Sequence, residues 1–269
     1  MNVPWADDLA LALRLADAAD ALTTDRFRAG DLQVATKPDL TPVTEADRRT
    51  ELAIRAILER ERPGDAVLGE EFDDTGDSDR LWVIDPIDGT KNYVRGVPVW
   101  ATLIALVVGN EPVVGVVSAP ALGRRWWAAA GSGAFTRDVD GSERLIRSSA
   151  VTRLSDASLS YSDHERWDDV AASGTDSSAG FHTLLDTCWR SRGYGDFWSH
   201  LLVAEGAVDI AAEPHLNPWD VAALVPVVRE AGGLITRFDG TPTFSGTGTT
   251  SCVTTNGHLH HEVLALLGP

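Results

Sequence analysis

The sequence predicts an α/β protein in two packed halves, an N-terminal α+β half (1–150) and a C-terminal α/β half (151–269). Three observations predict it. Helical periodicity opens the chain, a run of apolar strands with hairpin-type turns follows, and beyond residue 150 short strands alternate with helices. Asp7–Arg28 reads as a helix with Leu9, Ala12, Leu13, Ala16 and Ala19 on one face. Thr44-Glu45-Ala46-Asp47 has the form of a capping box opening a second helix to about Arg62, ended by Pro63-Gly64. Two apolar strands, Ala66–Gly69 and Leu81–Asp85, each run directly into acidic residues. Further strands are expected over Trp100–Val108, Glu111–Ser118, Arg124–Ala129 and Glu143–Arg147, separated by turns at Gly109-Asn110, Gly131–Gly133 and Asp140-Gly141. In the second half, strands near Ala157–Ser160, Cys188–Gly193 and Val208–Ala212 alternate with helices near Phe197–Glu205, Pro218–Ala231 and His258–Leu267. Asp163–Ser178, rich in Asp, Ser and Gly, reads as a mobile surface loop or insertion.

At 269 residues the chain is long enough to bury a substantial core. A formal charge of −17 argues against nucleic-acid or anionic-membrane partners. The longest apolar runs, Trp100–Val108 and Val113–Val117, are too short to span a bilayer, and the start of the chain lacks a signal-peptide pattern. Cys188 and Cys252 form no CxxC motif, so reduced thiols in the cytoplasm are expected.

The most informative segment is Trp82-Val83-Ile84-Asp85-Pro86-Ile87-Asp88-Gly89-Thr90. A strand ends at Asp85, Pro86 forces a turn, and Gly89 permits backbone geometry closed to other residues. Asp85 and Asp88, with the Ile87 carbonyl between them, supply oxygen donors only, which suits magnesium and not zinc. If a helix begins near Thr90, the Gly89 and Thr90 N–H groups form a phosphate cradle. Alone, these aspartates would read as a strand-end turn. Other acids recur in similar settings: Gly69-Glu70-Glu71 follows a strand, and Asn217-Pro218-Trp219-Asp220 opens a helix. Asp220 and Asp47 also fit plain capping roles. Carboxylates converging on one site repel one another, so such a site requires cations.

Together Lys37-Pro38-Asp39, Val43-Thr44-Glu45-Ala46-Asp47, Gly69-Glu70-Glu71, Asp85-Pro86-Ile87-Asp88-Gly89-Thr90, Trp219-Asp220-Val221-Ala222-Ala223 and Glu230-Ala231-Gly232-Gly233 resemble the inositol monophosphatase superfamily. The resemblance covers nearly the whole chain in order. It implies the layered αβαβα sandwich of that superfamily, a homodimer, lithium sensitivity, and magnesium dependence with about two or three ions, manganese being able to substitute. It also implies Glu70, Asp85, the Ile87 carbonyl, Asp88 and Asp220 as metal ligands, and Thr90, Asp47 and Glu70 as the groups that activate water. The reaction would be a metal-assisted displacement on a small phosphate monoester. No Asp-x-Asp nucleophile follows the first strand, and neither Cys lies in a Gly- and Arg-rich loop, which argues against covalent phosphatase chemistry.

Asp88–Trp100, Arg190–Phe197, Leu202–Asp209 and Ala212–Asp220 are similar to the histidinol-phosphate phosphatase branch. That similarity implies substrate contacts from Ile87, Asp88, Gly89, Thr90, Arg192, Asp196, Glu213 and Asp220. Arg192 is expected either to hold Asp196 or to meet the phosphate; a local ion pair is the plainer alternative. A polyol-phosphate phosphatase, or a non-catalytic phosphometabolite-binding protein, stays open. His215 reads as a surface residue, Trp82, Trp126 and Trp127 as core, and His258, His260 and His261 as a solvated helix end.

Overall fold

The computed structural model of the chain describes residues 5–38, 40–164, 167–168, 176–246 and 248–268. Helix α1 (Ala6–Arg26) leads to a short hairpin of β1 (Val34–Thr36) and β2 (Pro42–Thr44), then to α2 (Glu45–Glu61). The expected capping box is present: Thr44 Oγ1 accepts from the Ala46 and Asp47 amides, and the Thr44 amide donates to Asp47 Oδ2. On α1 the buried stripe is Leu11, Ala12, Leu15, Ala16 and Ala19, while Leu9 and Leu13 sit at its margin. Leucines on two sides of α1 satisfy the same period, so the pattern alone does not choose the inward stripe.

The first sheet has seven strands in the order β3-β4-β5-β6-β7-β8-β9. They are β3 (Ala66–Gly69), β4 (Arg80–Asp88), β5 (Ala101–Val108), β6 (Glu111–Ala119), β7 (Arg124–Ala129), β8 (Ala134–Arg137) and β9 (Glu143–Leu145). Helix α3 (Thr90–Arg95) follows β4. The second sheet runs β11-β10-β12-β14-β13. Its strands are β10 (Ser158–Ser160), β11 (Arg190–Arg192), β12 (Ile210–Leu216), β13 (Leu234–Thr236) and β14 (Thr250–Thr255). Around it lie α4 (Ser178–Thr187), α5 (Asp196–Ala204), α6 (Pro218–Ala222), α7 (Leu224–Glu230) and α8 (His260–Leu267).

Alternation along the strands builds two cores. Trp82, Ile84, Ile104 and Leu106 pack with α1 and α2, whereas Val83, Leu103, Ala105 and Val107 pack with α5, α6 and α7. Both sheet faces are covered, which is why these strands read as unbroken apolar runs. Helices α4 and α8 close the far face of the second sheet. The result is an α/β sandwich of five layers, helices alternating with sheets.

The structure corrects several expectations. Pro218–Ala231 is two helices, because Pro226 has no N–H for the Ala222 carbonyl and the helix restarts at Leu224. Strands β1, β2, β8, β13 and β14 and helix α4 were not foreseen. His260 is not solvated: it is buried, with Nδ1 3.1 Å from Thr255 Oγ1 and Nε2 3.0 Å from Thr236 Oγ1, while His258 and His261 are exposed. Residues 165, 166 and 169–175 of the expected loop lie outside the described residues; Trp167 within it is buried and stacks on Phe181.

Candidate active site

Asp85 and Asp88 lie three residues apart on β4, an odd spacing that a regular strand sends to opposite faces. Pairing with β5 shifts between them. Asp85 opposes Leu103 and Asp88 opposes Ala101, so Pro86 and Ile87 share Thr102 as neighbour. Proline, which donates nothing to a ladder, suits this bulge. Thr102 Oγ1 donates to the Pro86 carbonyl at 2.8 Å, and the Ile87 amide donates to Asp85 Oδ1 at 2.9 Å. Asp220 arrives from the first turn of α6, where its Oδ2 accepts the Asn217 amide at 2.7 Å. One oxygen from each of Asp85, Asp88 and Asp220 lies within 4.8 Å of the others. Glu70, on the turn after β3, lines the same cavity of about 150 Å³. Lys37 Nζ stands 2.7 Å from Glu70 Oε1 and 2.6 Å from Glu71 Oε1.

The electrostatics are those of crowded acids. Burial above all, then the surrounding carboxylates, holds Asp85 and Asp88 well above the usual carboxylate range. Burial pushes Glu70 up to about 7, with Lys37 opposing and Glu71 and Asp220 adding. Burial likewise lifts Asp220 to about 6. A dication among these oxygens would reverse that preference for protons, and the oxygen donor set fits magnesium.

Thr90 opens α3 beside the cluster. Its Oγ1 lies 3.0 Å from the Ile87 carbonyl and 3.3 Å from Asp47 Oδ1. Burial, against hydrogen bonds from Thr44, raises Asp47 to about 6. Gly89 precedes Thr90 at φ +80°, and a Cβ there would stand 3.0 Å from both Asp196 Oδ2 and the Val99 carbonyl. Only glycine satisfies both the backbone conformation and the close approach.

The second sheet supplies the opposite wall from the carboxyl ends of its parallel strands β10, β11 and β12, where open α/β sheets hold ligands. Glu213 is buried on β12 and pushed up to about 8, chiefly by that burial. Its Oε1 accepts both the amide and the hydroxyl of Ser162 at 2.6 Å. The same hydroxyl accepts the Asp196 amide at 2.7 Å, and Asn92 Nδ2 donates to Asp196 Oδ2 at 3.1 Å. Asp196 stands where the inner cavity opens into an outer cleft of about 730 Å³, flanked by Lys37, Lys91, Tyr194 and Trp219.

The expected link from Arg192 to Asp196 is not made. Arg192 is exposed on the edge strand β11, its Nη1 donates to the Ser191 carbonyl at 2.7 Å, and it lines neither cavity. Asn92, a residue far away in sequence, holds Asp196 instead. His215 is half-buried on β12 and lines neither cavity. Sequence reasoning passed over Ser162, Asn92 and His200, which lines the inner cavity with its Nδ1 2.8 Å from Thr254 Oγ1. For Ser162 alone a signal existed, its place just after a parallel strand.

A sequence model of the inositol monophosphatase family matches residues 5–268. A histidinol-phosphatase of Mycobacterium tuberculosis is 58% identical over 97% of this chain and 98% of its own. One from Streptomyces coelicolor is 54% identical over 98% and 97%. Among solved structures, an inositol monophosphatase from Zymomonas mobilis superposes with a TM-score of 0.85 at 32% identity, all of both chains being covered. No described helix is long and apolar enough to cross a membrane. With the match running almost end to end and the acidic cluster of a metal-dependent family in place, the chain belongs to the inositol monophosphatase family.

Proposed function

We propose that this chain is a magnesium-dependent phosphatase that hydrolyses L-histidinol phosphate to L-histidinol and phosphate. The observation that carries the reading is the pair Asp196 and Glu213, two further acids facing the same space as the Asp85–Asp88–Asp220 cluster. A neutral polyol gives no reason to place two further acids there, whereas a protonated amine and an imidazole do. The relatives named histidinol-phosphatase match this chain over nearly its full length, which supports the same substrate.

Glu70, Asp85, the Ile87 carbonyl, Asp88 and Asp220 would hold magnesium, about two or three ions with manganese able to substitute, and there it would acidify water and offset charge on the phosphoryl and leaving oxygens. The Thr90 hydroxyl passes its proton to Asp47 Oδ1 while its oxygen takes one from the attacking water. Glu70 is the second acceptor beside that water. The Gly89 and Thr90 amides would meet phosphoryl oxygens at the start of α3. Asp88 is kept in place by the Phe197 amide, which donates to its Oδ2 at 3.0 Å. Asp196 and Glu213 receive the cationic end of the substrate. Free, buried Cys188 and Cys252 accord with a reducing cytoplasm, and the family to which the chain belongs supports a homodimer as the active form.

Phosphate release from L-histidinol phosphate, inositol 1-phosphate, fructose 1,6-bisphosphate and adenosine 3′,5′-bisphosphate tests this directly. The highest kcat/KM is expected on L-histidinol phosphate. A preference for inositol 1-phosphate would overturn the substrate assignment while leaving the metal chemistry intact.

A further inference from the structure

Glu51 lies one helical turn beyond Asp47 on the same face of α2, and it is 0% exposed. A buried carboxylate has to be partnered, and its partners here have a direction. Oε1 accepts Arg55 Nε at 2.8 Å, and Oε2 accepts the Glu71 amide at 2.8 Å from across the turn that follows β3. Arg55 then extends Nη2 to the Phe72 carbonyl at 3.1 Å. The two α2 side chains therefore hold the backbone just after Glu70 by one donor and one acceptor. Just before it, a Cβ on Gly69 would stand 2.0 Å from Glu51 Oε1 and 2.4 Å from its Cδ. The approach is so close that only glycine fits there while Glu51 keeps its place.

We propose that Glu51 is a positioning residue for Glu70. By fixing the turn Gly69–Phe72 it delivers the Glu70 carboxylate to the cavity of Asp85 and Asp220. The same helix turn delivers Asp47 to Thr90, so one rigid segment sets the spacing of the three groups that act on water. Lys37, bridging Glu70 and Glu71 from the other side, completes the brace. Supporting groups of this kind decide how well a metal site is formed. The inference rests on the reading of Glu70 as a cation ligand.

The test is magnesium binding to the full chain, measured by calorimetry, together with kcat and the magnesium concentration giving half-maximal turnover. Glu51→Asp keeps a buried charge but withdraws it from Glu71; it should weaken magnesium binding about 10- to 100-fold, with the half-maximal concentration rising in step. Glu51→Gln can still present its one oxygen to the Glu71 amide, with its NH2 then facing the Arg55 donor, and should recover the affinity in part. Arg55→Ala, at a partly exposed position, should weaken binding less than Glu51→Asp. Wild-type magnesium affinity in a folded Glu51→Asp protein, whatever its Tm, would leave Glu51 a core ion pair and overturn the proposal. Unchanged affinity in Glu70→Gln would instead remove the ligand reading beneath it.

Discussion

Asp196 holds φ at +43°, a conformation that side-chain-bearing residues avoid at a cost of about 1–2 kcal/mol. Its amide is held by the Ser162 hydroxyl and its carboxylate by Asn92, so the strained form is fixed from two sides. Such strain is retained where a side chain has to point at something. Asp196→Ala is expected to lower kcat/KM for L-histidinol phosphate about 10- to 150-fold, the range of a lost charge-assisted hydrogen bond, and to leave p-nitrophenyl phosphate nearly untouched. Asp196→Gly should show the same selectivity loss while raising Tm, because glycine adopts that backbone freely. Equal losses on both substrates would make Asp196 a framework residue. At this scale the sequence is readable where short motifs recur. Asp85, Asp88, Glu70 and Asp220 each sit in a short run that alone fits a turn or a cap, and only their recurrence along the chain makes the chemistry apparent. Asn92 and Glu51 are not readable, because their partners lie 104 and 20 residues away, and for Ser162 only its place after a strand is legible, its partner Glu213 lying 51 residues away.

Elements carry the next layer, since each acid owes its direction to an element end or an irregularity. The bulge in β4 brings Asp85 and Asp88 together, and the capping boxes of α2 and α6 orient Asp47 and Asp220. Gly89 joins β4 to α3 with no room for a side chain. Gly89→Ala is expected to lower stability by about 1–2 kcal/mol in thermal melts and to reduce selectivity for L-histidinol phosphate, as the new methyl presses on Asp196. An unchanged Tm would show that the junction tolerates a side chain. Elements were legible where the local signal is strong: the apolar period of α1, the capping box of α2 and the apolar runs of β3 to β7. Strand β14, Thr250–Thr255, is buried throughout yet made of Thr, Ser, Cys and Val, so its polarity hid a central strand. Helix α4 carries Gly180, which reads as a loop residue. A Cβ there would meet the Leu266 carbonyl at 1.9 Å, so the glycine serves the packing of α4 on α8.

At the scale of the whole molecule, the acidic cluster ties the layers together. Asp85 and Asp88 belong to the seven-stranded sheet, Asp196 and Asp220 to the helix layer between the sheets, and Glu213 to the second sheet. Crowding these carboxylates opposes folding until a cation is present, so magnesium should stabilise the entire fold and not only the site. Ligand linkage sets the scale, about 2.7 kcal/mol at a hundred times the Kd. Two packed halves were legible from strand and helix order and the layering followed from the family resemblance, but which surfaces meet was not legible, because that depends on buried faces with no local signature. The most direct measurement is phosphate release from L-histidinol phosphate by metal-stripped protein, before and after magnesium is restored, with Asp220→Asn alongside. The account predicts no turnover without metal, full recovery with magnesium, and almost none in Asp220→Asn at any ordinary magnesium concentration. Full turnover under excess chelator, or wild-type kcat in Asp220→Asn, would contradict it.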